Sequence, residues 1–178
     1  MNWLNEPKQW SQDGNTLTMT ADGQTDFWRI PGKINHNGHF IYQEVTGDFT
    51  ATVRFRGGYA ARYDQAGLML RESETVWLKA GIELETQGLL ASVVLTREFS
   101  DWGVVLLSGD DLGWTTFAVK RSGAMIEVSY ALQRTDDLIL MRQGYFTPKP
   151  IIQVGMMVAA PEGNGFEATF AGFTVTAG

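Results

Sequence analysis

Along much of the chain, apolar and polar residues take turns. In DFTATVRFRGG, Phe49, Ala51, Val53 and Phe55 alternate with Thr50, Thr52, Arg54 and Arg56, the period-two signature of a strand with one dry face. Gly57 and Gly58 end the run. DQAGLMLRE sets Ala66, Leu68 and Leu70 against Gln65, Gly67, Met69 and Arg71. VWLKAGIELE sets Val76, Leu78, Ala80, Ile82 and Leu84 against Trp77, Lys79, Gly81, Glu83 and Glu85. Helical spacing would mix these sets, whereas strand spacing separates them completely. LTMTA, LLASVVLTR, WGVVLLS, WTTFAVKR, MIEVSYAL, LILMRQ, IIQVGMMVA and FEATFAGFTV extend the series.

DGN, TGD, SGDD, RSG and PEGNG separate these runs and are rich in residues that accept turn geometry. Arg121 to Ala124 is predicted to be a hairpin around Ser122 and Gly123. About a dozen strands at roughly 8 to 12 residue spacing, with no amphipathic helix, predict an all-β fold: an antiparallel two-sheet sandwich or jelly roll, with a closed barrel as the alternative. The length of 178 residues suits one domain over residues 1–178. No period of about 20 to 50 residues marks a solenoid or propeller.

Composition narrows the function classes. A 44% hydrophobic content with ten Phe, six Trp and five Tyr supplies a packed interior. A net charge of −6 gives no field to draw in phosphate backbones, so no nucleic-acid partner is expected. No run reaches the ~18 apolar residues that span a bilayer, so no membrane partner is expected. MNWLNEPKQW lacks the basic and apolar regions of a secretion signal, and the expected location is cytoplasmic. With no cysteine and only His36 and His39, disulfides, thiolate chemistry and His-rich metal clusters drop out, and neither cofactor nor metal is expected. Asp110 with Asp111, and Asp136 with Asp137, read as solvated turns rather than calcium loops. No nucleophile elbow, P-loop or dinucleotide fingerprint is present.

Four stretches read together carry a further signal: TDFWR at 25–29, NGHF at 37–40, YDQAGLML at 63–70, and WLKAGIE at 77–83 followed by FSDW at 99–102. In this order, from about Trp3 to the final GFEATFAGFTV, the chain resembles the DUF1349 family of the concanavalin A-like lectin and glucanase superfamily. The resemblance implies a two-sheet jelly roll whose concave face, in many relatives across the superfamily, takes up carbohydrate. The family pattern has a more aromatic segment between Arg29 and Asn37 and a serine after FSDW. Here IPGKINH and Gly103 stand in those places, so a loop lining the surface differs.

If the strands of Arg54, Arg71 and Glu83 share a sheet, its outward face gathers Arg54, Arg56, Gln65, Met69, Arg71, Trp77, Lys79, Glu83 and Glu85. An aromatic face stacks on sugar C–H groups while planar polar groups satisfy hydroxyls. The expected ligand-binding set is Trp77, Lys79, Glu83, Arg71, Gln65 and Arg54, with His39 and Trp102 at the rim, binding a saccharide or similar small molecule without catalysis. One alternative is a protein-interaction scaffold or homodimer built on the outward aromatics and Met69. The other is a glycoside hydrolase using Glu83 and Glu85, since residues i and i+2 on a strand lie about 6.5 to 7 Å apart and paired carboxylates cleave glycosides at such separations. Asp26 with Arg29, and Asp101 beside Trp102, are expected to pin loops to the sheet rim.

Overall fold

The computed structural model describes residues 1–109, 112–132 and 137–178. Of the four acidic turn residues, Asp110, Asp111 and Asp136 lie outside the described residues. The strands are β1 (Asn2–Leu4), β2 (Gln9–Asp13), β3 (Thr16–Thr20), β4 (Phe27–Ile30), β5 (Lys33–His36), β6 (His39–Thr46), β7 (Phe49–Gly57) and β8 (Gln65–Arg71). They continue with β9 (Val76–Glu85), β10 (Gly88–Arg97), β11 (Phe99–Leu106), β12 (Thr115–Ser122), β13 (Met125–Leu132), β14 (Ile139–Tyr145), β15 (Ile151–Ala159) and β16 (Glu167–Ala177). No described helix is long and apolar enough to cross a membrane.

Two seven-stranded antiparallel sheets face each other as a jelly-roll sandwich. The first runs β1-β6-β15-β8-β9-β10-β11 and the second β14-β13-β12-β7-β16-β3-β2. Their inner faces meet in one apolar cluster that includes Phe49, Val53, Phe55, Leu68, Leu78, Ile82, Val93, Phe117, Val154 and Phe170. These are the apolar members of the alternating runs, so the pleat puts each of them inside. The hairpin expected at Arg121 to Ala124 joins β12 to β13, and Gly123 supplies its left-handed residue at φ 58°.

The other face of the first sheet departs from expectation. Trp77, Lys79 and Glu83 do point away from the sandwich core, but they do not meet open water, with exposures of 0, 6 and 6%. A second apolar cluster of Phe27, Phe40, Met69, Trp77, Val94, Met157 and Ala159 lies on that face. Its cover is the separate hairpin β4–β5, in which Phe27 pairs with His36 and Trp28 with Asn35. Asn5 Nδ2 donates to the carbonyls of His36 and Gly38 at 2.9 Å each. The Arg29 backbone N–H donates to Ser100 Oγ at 3.0 Å, and its guanidinium reaches Glu98 O and Glu74. Gly38 is required beneath the roof, since a Cβ there would stand 2.5 Å from the Phe27 ring.

Candidate functional site

The roof covers only part of the sheet. Between the hairpin, the segment around Glu162 and the outer face of β8 to β11, a cleft of about 430 Å³ remains, a size that suits a small ligand. Trp28, Tyr63 and Trp102 form aromatic walls, and Asp26, Gln65, Lys79 and Glu83 lie at its base.

Strand register explains the base. Gln65 on β8 lies opposite Glu83 on β9, Glu83 opposite Leu90 on β10, and Lys79 opposite Val94, which faces Trp102 on β11. Directly opposed residues share a face, so four neighbouring strands deliver their side chains to one place. Lys79 Nζ donates to Phe27 O at 2.7 Å, Gln65 Oε1 at 2.5 Å and Asp26 Oδ1 at 3.3 Å. An ammonium has three donors, and all three are committed to the hairpin and to β8. Gln65 is likewise occupied, accepting from Lys79 and donating to Tyr63 O at 3.1 Å. Asp26 pairs with Lys79 rather than with Arg29, and its Oδ2 also accepts from Asn35 at 3.3 Å.

Glu83 behaves differently. Its Oε2 accepts from Ser92 Oγ at 2.6 Å and Trp102 Nε1 at 3.1 Å, and no described residue bonds to Oε1. Burial, the largest influence, raises its pKa above the ordinary 4.5. Lys79 and the bonds from Ser92 and Trp102 pull it back, and Asp26 pushes it up. The Trp102 indole is fixed from behind through Nε1 while the residue as a whole stays 38% exposed. Tyr63 meets it edge-on at 6.4 Å. Tyr63 and Gln24, both on the cleft wall, have left-handed backbones at φ 67° and 63°. That conformation costs a non-glycine residue of order 1 to 3 kcal/mol and clusters at functional sites.

Four of the eight expected ligand residues therefore line the cleft: Gln65, Lys79, Glu83 and Trp102. The other four do not. Trp77 lies wholly under the roof beside Phe27, with ring centroids 6.1 Å apart, so it is packing rather than a platform. Arg71 sits further along the covered face, donating to Gln153 Oε1 at 2.9 Å and approaching His36. His39 is buried, with Nδ1 2.6 Å from Asn5 O and Nε2 accepting from the Asp22 N–H at 3.0 Å, so both ring nitrogens are engaged structurally. Arg54 belongs to β7 in the opposite sheet, as does Arg56, so neither shares a face with Glu83.

The Glu83 and Glu85 pair does not converge either. Glu85 is bound by the Arg62 guanidinium and by the Thr86 backbone N–H, and the hydrogen bond from Arg62 holds its pKa below the ordinary carboxylate value. It does not line the cleft. Trp28, Tyr63, Asn35 and Ser92 are site residues that alternation did not single out. Trp28 and Tyr63 stand inside the TDFWR and YDQAGLML segments, which is the sequence signal that points to them.

Three solved structures share this architecture. A sandwich in the GH43 protein BlXynB of Bacillus licheniformis superposes with a TM-score of 0.76 at 19% identity, covering 97% of this chain and 36% of that one. The carbohydrate-binding module CBM66 of Bacillus subtilis gives 0.66 at 13% identity, covering 98% and 95%. A functionally unknown protein from Saccharomyces cerevisiae gives 0.93 at 34% identity, covering 99% and 96%. In sequence, "Regulation of enolase protein 1" of Saccharomyces cerevisiae is 37% identical, over 98% of this chain and 88% of its own. The model of the family described as "Protein of unknown function (DUF1349)" matches residues 3–178, and this chain belongs to that family.

Proposed function

We propose that the cleft binds a saccharide or a similar polyhydroxylated small molecule without cleaving it, in a domain over residues 1–178 of concanavalin A-like type. The observation that carries this reading is the juxtaposition of Trp28, Tyr63 and Trp102 with Glu83 and Asn35 in one cleft of about 430 Å³. Aromatic faces accept the C–H side of a sugar ring, and carboxylate and amide groups take its hydroxyls. The same sandwich build in a carbohydrate-binding module of Bacillus subtilis supports it. Binding is favoured over hydrolysis because Asp26 is tied to Lys79 and Glu85 to Arg62, so neither stands ready as a partner for Glu83. A glycan array followed by calorimetry tests the proposal. A hit should weaken at least tenfold in Trp102→Ala and in Glu83→Gln, at about 1.4 kcal/mol per tenfold. Undiminished binding in both variants refutes the assignment, and glycoside turnover abolished by Glu83→Gln replaces it with the hydrolase reading.

A second reading, a protein-interaction scaffold or homodimer, draws on the edge strands. β11 and β14 end their sheets, and Val104, Val105, Leu106, Ile139 and Leu140 on them are 42 to 60% exposed. Arg142 on β14 reaches Asp101 on β11 at 2.9 Å, which brings the two edges side by side. Light scattering across concentration decides it: a strictly monomeric particle counts against self-association.

A further inference from the structure

The hairpin β4–β5 is a two-stranded sheet of its own. A lone pair of strands is marginal in water, so its position depends on what it fastens to. On the β4 side Lys79 holds Asp26 and the Phe27 carbonyl. On β5 the side chain that reaches the sheet is His36, whose ring also meets Phe27 edge-on at 5.4 Å. Arg71 on β8 approaches it, with Nη2 3.4 Å from His36 Nε2. A guanidinium can only donate, so Nε2 accepts and the imidazole proton sits on Nδ1. Asn5 holds the His36 carbonyl at 2.9 Å and does not titrate.

Closure of the roof leaves polar atoms unsatisfied. His36 Nδ1, Arg71 Nε and Trp77 Nε1 are buried, and none of them has a hydrogen-bond partner among the described residues. Arg71 and Trp77 lie directly opposite each other on β8 and β9, and Trp77 packs against Phe27 of the hairpin. Lifting the hairpin returns such atoms to water, which lowers the cost of opening. A proton on His36 Nε2 adds to this, because a donor then faces a donor and imidazolium stands against guanidinium. Burial is the largest influence on the His36 pKa and lowers it from the ordinary 6.5. Arg71 lowers it further, Glu74 in the turn between β8 and β9 raises it, and Arg29 on β4 lowers it. Glu74 is shared with Arg29 at 3.4 Å, so it does not serve His36 alone.

We infer that the β4–β5 hairpin is an acid-released lid on the cleft, with His36 as its proton-sensitive fastening. At neutral pH and above, His36 is uncharged, accepts from Arg71, and the lid stays down. As pH falls below about 6.5, the lifted lid takes up a proton that the closed lid resists. Opening therefore gains up to about tenfold per pH unit, until the pKa of the closed form is reached. Trp28 and Asn35, the next pair in the hairpin register, move with it. Release of a cleft ligand in acid rests on the saccharide reading, whereas the opening itself does not.

Two measurements on the full chain test the lid without any ligand. The chain has two histidines, so proton resonances of the imidazoles give the His36 titration directly, with His36→Gln as the assignment. Amide hydrogen exchange, corrected for the intrinsic pH dependence, reads the opening. Between about pH 7.5 and about pH 5, the amides of β4 and β5 should lose protection about tenfold, while those of β7 keep theirs. His36→Gln retains an acceptor for Arg71 and takes up no proton in this range, so its hairpin should stay protected throughout. Glu74→Gln, a substitution at an exposed side chain, should lower the His36 pKa further and deepen the loss in acid. Three outcomes overturn the inference: a His36 pKa at or above the ordinary value, hairpin protection that does not change with pH in the unaltered chain, or the same acid loss in His36→Gln. A lid that opens in acid on a chain that binds no saccharide at any pH overturns the saccharide reading and leaves the lid standing.

Discussion

Trp77→Ala separates a platform facing water from a ring locked under a roof. Trp77 is 0% exposed, stands 6.1 Å from the Phe27 ring, and has Lys79 Nζ 5.9 Å from its centre. Truncating a buried Trp to Ala costs about 3 to 5 kcal/mol, from lost transfer energy and the cavity left behind. Domains have only about 5 to 15 kcal/mol in total, so the variant should lose a large share of its stability. At about 2 to 4 °C per kcal/mol for a chain of this length, the midpoint should fall by roughly 6 to 20 °C. Trp77→Phe refines the test. The Trp77 Nε1–H is buried with no partner among the described residues, and an unmade hydrogen bond of this kind costs about 1 to 3 kcal/mol. Phe keeps most of the ring and removes the orphan donor, so it should cost less than half as much as Ala. Urea denaturation monitored by far-ultraviolet dichroism measures both, with the midpoint shifting and the slope unchanged. A Trp77→Ala protein within about 0.5 kcal/mol of the parent, the usual range of a surface substitution, would mean that this face is open to water.

Three further outcomes are expected. The Glu83 pKa is raised in the folded state, so its contribution is fully present below the ordinary 4.5 and is lost as pH rises through the folded value. Glu83→Gln should therefore gain stability relative to the parent as pH rises above the ordinary carboxylate value, and parallel stability-against-pH curves would refute this. Lys79→Met strands the buried Asp26 carboxylate and should cost about 3 to 5 kcal/mol. Adding Asp26→Asn should recover part of that loss, so strict additivity in a double-mutant cycle would show that the pair is not coupled. Tyr63→Gly should be about 1 kcal/mol more stable than Tyr63→Ala, because φ is 67° there, and both should weaken ligand binding in calorimetry. Equal stabilities would remove the claim of backbone strain.

The alternation in DFTATVRFRGG and VWLKAGIELE was enough to place Phe55, Leu78 and Ile82 in the core, because the pleat alone decides which side a residue takes. It could not say what lies beyond the other side. A face bearing Lys79 and Glu83 reads as wet, yet the segment that covers it, FWRIPGKINH, lies some fifty positions away in sequence. Within that segment Phe27 is buried while Ile34 is 57% exposed, a division set by the roof's contact with the sheet rather than by period two. Strand order is equally invisible to alternation. β7 and β8 are consecutive in the chain but lie in different sheets, which is why Arg54 was grouped with Arg71 and Glu83. The resemblance filled part of this gap, since TDFWR and YDQAGLML carry Trp28 and Tyr63 to the cleft. The IPGKINH segment, marked as a departure from the family pattern, contributes Lys33 and Asn35 to its wall.

Lys79 links the stability of the roof to the shape of the cleft. Apolar contacts among Phe27, Met69 and Trp77 hold the hairpin down but have no directional preference, so they allow it to slide. The three bonds from one ammonium to Asp26, Phe27 O and Gln65 have directions, and they fix where the hairpin stops. Trp28 and Asn35 ride on that hairpin, while Glu83 and Trp102 belong to the sheet. The distance across the cleft is therefore set by a residue whose own donors are already spent. A substitution at Lys79 that spares the fold should consequently loosen ligand binding without removing any ligand contact, as expected when the ordering cost is moved from folding to binding.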